Sequence, residues 1–251
     1  TVFICVPDSE KLKIVEYCIK NKKHCLIEKP FLVKNTKILN KLDKLSKKNK
    51  VICYIAYNHR FEPGLLNIKK IMKSKKLGKI YKCRMFYGNG TSLLVKRSKW
   101  RDKGKGVITD IGSHLFNLCF FWFGKRIKNI KVSEISRFEN SSPDYANIIF
   151  RIDKITINLE MTLCMWKNSF NCDIIGSKGS LHMNSLCKWS DSIFTQRKRK
   201  YPSGYPSEKT IVYKKGDPTW KAEYLFFKKL IKSKKNISLD SEIVLNNCFS
   251  K

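Results

Sequence analysis

Three short apolar runs separated by two helix-like stretches open this chain, and few folds admit that order. Val2–Val6 is continuously apolar, as in a strand covered on both faces, His24–Ile27 makes the next strand, and Val51–Tyr57 is again of the buried type. Pro7-Asp8-Ser9 follows the first run, with Asp8 or Ser9 expected to cap a helix. Ile14, Val15, Cys18 and Ile19 then recur at helical spacing, and Ile38, Leu39, Leu42 and Leu45 do the same before the third run, with lysines on the outer face. Strand–helix–strand–helix–strand predicts a parallel sheet with right-handed crossovers.

Past Pro63 the pattern changes. A short helix carries Leu65, Ile68 and Met72 and stops at Gly78, and a strand is expected over 79–87. An irregular stretch leads to Gly106, and a strongly apolar helix then runs from about Ile111 to Phe123. Runs at 131–138, 145–152, 155–163 and 170–175 predict a β meander, with Asp153-Lys154 and Gly176-Ser177-Lys178-Gly179 as turns and a strand at 180–183. The last third is less regular. Trp220–Ile231 reads as a helix with Tyr224, Phe227, Leu230 and Ile231 on its apolar side. The expected fold class is therefore α/β: a partial Rossmann-like parallel sheet over 1–63, then an α+β domain over 64–251 with an open, mostly antiparallel sheet.

The formal charge of +32 raises the question of an anionic partner. The bases are mostly Lys, however, and are spread through helices, loops and termini alike. Arg is the usual reader of phosphates and bases, through its bidentate fork. Most of this charge is read as solvated surface, Arg197-Lys198-Arg199-Lys200 as a solvated loop, and nucleic acid is not an expected partner. The 10 cysteines form no C-x-x-C pair. Cys5, Cys25, Cys53, Cys83 and Cys172 sit in strand-like runs, as buried reduced thiols would, which points to a reducing, cytoplasmic setting and to no metal site. The longest apolar stretch, near Leu115–Phe123, is too short to cross a bilayer, so no membrane partner is expected.

Three constellations could carry chemistry. Glu28-Lys29-Pro30 ends the second strand run, on the carboxyl edge where open parallel sheets bind ligands. Lys29 there can bond a substrate oxygen, or be an ordinary surface lysine. Asp110 and His114 stand one helical turn apart at the head of an apolar helix. They suit an acid/base pair, or an N-cap with a satisfied core histidine. Tyr57-Asn58-His59-Arg60-Phe61-Glu62-Pro63 ends the third strand, where Asn58 and Arg60 could bond an amide, phosphate or sugar hydroxyl, or merely shape a turn. Trp100-Arg101 is a weaker candidate in the loop before the Asp/His helix.

Taken in order, E-K-P, N-H-R-F-x-P, W-R and G-x-x-x-D-I-G-S-H-L resemble the glucose–fructose oxidoreductase/inositol 2-dehydrogenase (Gfo/Idh/MocA) family over essentially the whole chain. "IIGSKGSL" is similar to that family's late hairpin, and "WKAEYLFFKKLIKSKKNISL" to its C-terminal helix. The resemblance implies an NAD- or NADP-dependent oxidoreductase acting on a secondary alcohol or ketone of a sugar, sugar derivative or cyclitol. It implies Lys29 at the reacting oxygen and nicotinamide, His114 as the proton carrier, and Asp110 fixing substrate and histidine. Pro7, Ser9, Glu28, Asn58 and Arg60 would line the cofactor, while Trp100 and Arg101 would be looser substrate contacts. Loops 87–99 and 201–207 would hold further substrate contacts, and the C-terminal sheet would serve homo-oligomerisation.

One departure is large. The family begins with a strand, G-x-G-x-x-G and a helix, which cradle the pyrophosphate, and no such run is present here. At about 30 residues per βαβ unit, a segment of roughly 60–75 residues is expected to be missing, with three strands. A smaller departure is Lys11, where many members carry His. The competing expectation is a non-catalytic basic protein that binds nucleic acid or serves only in assembly.

Overall fold

Three strands, Val2–Ile4 (β1), Cys25–Glu28 (β2) and Cys53–Ala56 (β3), form a parallel sheet in that order in the computed structural model, which describes residues 1–98 and 100–249. Lys99, which falls in the expected substrate loop 87–99, and Ser250 and Lys251, which end the expected second domain, lie outside the described residues. Helices Asp8–Lys20 (α1) and Thr36–Lys48 (α2) make the two crossovers. Val15, Cys18, Ile19, Leu39 and Leu42 are buried, as their spacing predicts. The expected cap on α1 is not formed. Pro7 holds the N-cap position without a side-chain bond, and Asp8 instead accepts from Lys11 Nζ at 2.7 Å. Asn35 does cap α2, accepting from Lys37 N at 2.9 Å.

The first compact unit comprises residues 1–58 and the chain from Thr219 onward, and the second runs from His59 to Pro218. This differs from the expected division at residue 63, which assigned the C-terminal helices to the second domain. The reason is polar pairing as much as apolar packing. Helix Thr219–Lys232 (α6) buries Phe227 and Leu230 with Leu26, Ile52, Tyr54 and Ala56. It also buries Glu223, which accepts from Tyr54 Oη at 2.9 Å. Tyr224, expected on the apolar side, is exposed. Helix Asp240–Phe249 (α7) was not foreseen. Its buried Glu242 accepts from Tyr57 Oη at 3.1 Å, and its Asn246 spans the loop after β2, donating to Phe31 O at 2.9 Å and accepting from Val33 N at 2.8 Å.

In the second unit, Pro63–Lys73 (α3) leads into Ile80–Gly88 (β4), a short helix Ser92–Lys96 (α4) and the long helix Val107–Phe123 (α5). Then come Ile127–Ser136 (β5), Tyr145–Ile152 (β6), Ile155–Thr162 (β7), Ser169–Gly176 (β8), Gly179–Asn184 (β9), Ser192–Lys198 (β10) and Ser207–Tyr213 (β11). They form one open sheet in the order β11-β10-β9-β8-β4-β7-β6-β5, antiparallel except for β4 beside β7. Burial alternates along β6 and β7: Ala146, Ile148, Phe150, Ile157, Leu159 and Met161 face inward, under α5. Phe116 of α5 stacks on Phe150 at 5.0 Å between centroids.

Other expectations need correcting. Arg197 and Lys198 end strand β10 rather than lying in a loop, and Arg197 bonds Glu208 across to β11 at 2.6 Å. Basic side chains on an outward face hid that strand, since period-two burial is lost at a sheet margin. α4 occupies part of the stretch expected to be irregular. Cys5 is exposed because β1 ends at Ile4, while Cys25, Cys53, Cys83 and Cys172 are buried free thiols. Asp153 does take the turn, with φ 53°.

Because Asn246 satisfies two backbone groups from α7, Asn246→Ala is expected to lower stability by about 1–3 kcal/mol in urea unfolding, the range for a buried polar group stripped of its partner.

Candidate active site

The carboxyl ends of β1, β2 and β3 lie side by side on one edge of the first unit's sheet, as the parallel registers require. They bring together the Pro7 turn, Glu28-Lys29-Pro30 and Tyr57-Asn58. Glu28 and Lys29 are half-buried, and Pro7 and Ser9 are exposed at the start of α1. Lys11 is 3% exposed and donates to the Pro30 carbonyl at 2.7 Å as well as to Asp8. It therefore ties the head of α1 to the turn that carries Lys29. Asn58 is buried and donates to Thr219 Oγ1 at 2.9 Å. A helix N-terminus, an ammonium and a carboxamide on this edge suit the polar groups of a nicotinamide riboside. No residue of 1–251 supplies the Gly-rich cradle for a pyrophosphate.

The second unit holds the acid/base candidates. Gly106, with φ 47°, starts α5 directly against the 141–143 turn, and a Cβ there would collide with the Pro143 carbonyl oxygen. Val107 N donates to that same oxygen at 2.8 Å. Asp102 staples the preceding loop, accepting from Ser142 N at 2.7 Å and Ser141 N at 3.1 Å, and these N–H groups hold its carboxyl below the usual range. The start of α5 is thus fixed at several points. Asp110 and His114 share one face of it. Asp110 is not the N-cap: Gly106 is, and Asp110 lies inside the first turn, paired with Arg101 at 3.0 Å. Both partners are about one-third exposed, at 35% and 33%.

His114 is 7% exposed, and its Nδ1 lies 2.8 Å from Nδ1 of His59, itself 5% exposed. His59 Nε2 lies 3.3 Å from Lys188 Nζ, which donates to Tyr87 Oη at 3.0 Å. The Lys188 ammonium also sits over the Trp189 ring at 4.7 Å. Burial, with the nearby Asp110 charge, pushes the Tyr87 hydroxyl well above its usual range, so it stays a neutral hydroxyl that accepts from Lys188. Arg60, expected at the cofactor, belongs to this second unit. It donates from Nε to Asn117 Oδ1 at 2.5 Å and lies over Phe121, which ties the 3-10 turn Asn58–Phe61 to α5. Trp100 is exposed at 64%.

Of the expected residues, the structure brings Asp110, His114 and Arg101 together in one unit and Pro7, Glu28, Lys29 and Asn58 along one sheet edge in the other. His59, Tyr87 and Lys188 were not foreseen as site residues. His59 lies inside a motif already singled out, and a second histidine beside Asn58 was the available signal. Lys188 had none in so basic a chain. A further set, Ser180, His182 and Asp173, copies the bond pattern of a nucleophilic triad at 2.7 and 2.8 Å. It lies on the sheet face away from α5, with Arg84 on Asp173 at 3.1 Å and Arg197 3.4 Å from His182 Nε2. A guanidinium there competes for the lone pair a base needs, so the set is a cross-strand ladder. Among the described residues no group of three or more His, Cys, Asp and Glu could hold a metal ion, and no helix is long and apolar enough to cross a membrane.

Residues 65–182 match the family model of the GFO/IDH/MocA C-terminal domain. That stretch is therefore similar to this family's C-terminal domain. Two fission yeast (Schizosaccharomyces pombe) proteins named uncharacterized oxidoreductases, C115.03 and C26H5.09c, are 28% and 26% identical over 126 residues, 49% of this chain. The matched part spans about a third of their length, 34% and 33%. Among solved structures, levoglucosan dehydrogenase in complex with NADH and levoglucosan is 17% identical with a TM-score of 0.84, covering 99% of this chain and 76% of that one. An NAD binding oxidoreductase from Klebsiella pneumoniae is 15% identical with a TM-score of 0.81, covering 99% and 75%. At these identities the likeness shows a shared fold alone, with a parallel sheet and a large, mostly antiparallel sheet.

Glu62, 1% exposed, accepts from Cys187 N at 2.7 Å, and burial raises its carboxyl above the usual range despite that bond and Lys188. A raised folded value means its stabilising contribution is complete below the unfolded value of about 4.3 and is lost as pH rises through the folded value. Glu62→Gln removes that loss. The variant is therefore expected to gain stability relative to the parent as pH rises above the unfolded value of about 4.3, read by urea melts in acid and at neutral pH.

Proposed function

We propose that this chain is the catalytic part of an NAD- or NADP-dependent oxidoreductase that interconverts a secondary alcohol and a ketone on a sugar, sugar derivative or cyclitol. The observation that carries the reading is Asp110 and His114, one turn apart at the pinned head of a buried helix in a Gfo/Idh/MocA C-terminal domain. Such a helix position costs desolvation for the buried His114, with the part-exposed Asp110 one turn away, and an acid/base task accounts for the pair. The levoglucosan dehydrogenase and the Klebsiella protein, with NADH and NAD in their descriptions, support the cofactor class.

In this reading the cofactor supplies the hydride acceptor or donor when bound. Lys29 donates to the reacting oxygen and favours its developing negative charge. His114 takes the hydroxyl proton in oxidation and returns it in reduction. Asp110, held by Arg101, orients substrate and imidazole. Pro7, Ser9, Glu28 and Asn58 line the nicotinamide end, while Arg60 positions α5 through Asn117. Trp100 and Arg101 contact substrate from the loop before α5. Ile175, Ile193 and Val212, exposed on the sheet face away from α5, make that face the site of self-association. The charge gives no comparable support to a nucleic-acid reading, because on that face it is spent in pairs such as Arg84–Asp173 and Arg197–Glu208.

The test uses the chain expressed alone and with an added N-terminal βαβ segment that carries a Gly-rich phosphate loop. NADH and NADPH binding is read by fluorescence titration, and turnover by nicotinamide reduction with a panel of sugars, anhydrosugars and cyclitols. The longer product is expected to bind cofactor and oxidise at least one of them. His114→Asn and Lys29→Met are each expected to lower kcat by about 10²–10⁴ while cofactor binding by the His114 variant is unchanged. A longer product that binds neither nucleotide overturns the reading.

A further inference from the structure

We propose that Lys188 and His59 are positioning residues that lock the proton of His114 on its Nε2 and lend it a proton during transfer. His59, Tyr87, His114 and Lys188 all lie in the second unit, and the catalytic half of the proposal rests on the oxidoreductase reading above. An ammonium has three donors and no lone pair. Lys188 Nζ, bonded to Tyr87 Oη at 3.0 Å, therefore meets His59 Nε2 at 3.3 Å only if that nitrogen is an acceptor. The proton of neutral His59 then sits on Nδ1. That N–H points at His114 Nδ1, 2.8 Å away, which must in turn be an acceptor. The proton of neutral His114 is left on Nε2, at the ring edge away from His59.

The alternatives each meet a conflict. Moving the His114 proton to Nδ1 sets two N–H groups face to face unless His59 also switches. His59 then turns an N–H toward the ammonium. A doubly protonated His114 meets the same clash and adds positive charge beside Lys188. Four neighbouring groups bear on this state. From α5, Asp110 favours an imidazolium but is already paired with Arg101. From β4, Tyr87 is a neutral hydroxyl. Glu62 lies close enough to the Lys188 charge to feel it, and so favours the ammonium. From the 3-10 turn, Arg60 is engaged by Asn117.

The step balances. In reduction, hydride reaches the carbonyl carbon and the Nε2 proton of His114 passes to the carbonyl oxygen. His114 Nδ1 takes the His59 Nδ1 proton, and His59 Nε2 takes one from the Lys188 ammonium, leaving an amine. When product leaves, a solvent proton enters at His114 Nε2 and the chain shifts back, restoring the ammonium. His114 never has to pass through an imidazolate. Oxidation runs the same sequence backward, from the state with Lys188 as amine. The resting polarity therefore favours carbonyl reduction.

The chain has only four His, so each imidazole is resolvable after ¹⁵N-histidine labelling. Long-range ¹H–¹⁵N correlation spectra near neutral pH are expected to show His114 as the Nε2–H form and His59 as the Nδ1–H form. Lys188→Met is expected to mix both tautomers and to raise the protonation midpoint of His114 by about one pH unit, since a like charge is removed. Lys188→Arg, which keeps a donor at this point, is expected to retain the tautomers. A wild-type His114 protonated on Nδ1, or tautomers and midpoint unmoved in Lys188→Met, overturns the proposal. Turnover separates the two readings. His59→Gln can still donate to His114 Nδ1 but passes no proton, so it is expected to keep the tautomer and KM while kcat falls about tenfold or more. Unchanged kcat in that variant removes the proton loan. Locked tautomers in a protein with no dehydrogenase activity leave the lock standing and remove the oxidoreductase reading.

Discussion

The seating of α5 on the sheet is the constraint on which the second unit depends. The helix is buried on nearly every side, from Val107 to Trp122, so it has no solvated face to carry polar groups cheaply. Its few polar side chains must find protein partners or cost desolvation. Ser113 donates to the Asp110 carbonyl, Asn117 accepts from Arg60, and His114 meets His59. Each bond reaches back to the helix itself or to the 3-10 turn before α3. The head of the helix is fixed separately, by Gly106 against Pro143 and by Asp102 on Ser141 and Ser142. A proton carrier placed on such a helix has little positional freedom, which is what acid/base catalysis asks of it.

What could be read from the chain follows from how strong each periodic signal is. Continuous apolar runs at β2 and β3 and the spacing of Leu39 and Leu42 announce a parallel α/β start, because both faces of that sheet are covered. The hairpin between β8 and β9 was legible from its glycines: Gly179, with φ 155°, sits against the Arg197 carbonyl, where a Cβ does not fit. β10 and β11 were not legible, since Arg197, Lys198, Glu208 and Lys209 give a strand margin the composition of a loop. α7 was hidden for the opposite reason. Its buried positions include Glu242 and Asn246, and buried polar residues break the apolar period that reveals a helix. The division of the chain was missed with it, because the return of α6 and α7 to the first unit rests on bonds to Tyr54, Tyr57 and the loop after β2.

At the site the same contrast holds. Asp110 and His114 were legible because two ionisable residues interrupt an apolar helix at a spacing of one turn. His59 was half legible, next to Asn58 at the end of a strand. Tyr87 and Lys188 were not, because they are set by tertiary placement: one at the end of β4, the other in the segment after β9, far from His59 in the chain. A sequence with so many lysines offers no reason to prefer Lys188 over its neighbours.

The excess of lysine therefore conceals function rather than announcing it. Lys11 is the clearest case. Its ammonium is nearly sealed from solvent, yet it is satisfied by a carboxylate from Asp8 and a carbonyl from Pro30. Buried charge survives only with such partners, so this lysine holds the α1 head and the E-K-P turn in fixed relation. The bridge spans two elements, since Asp8 opens α1 and Pro30 closes the turn after β2, and it sets the head of the helix beside the residue that follows Glu28 on the sheet edge.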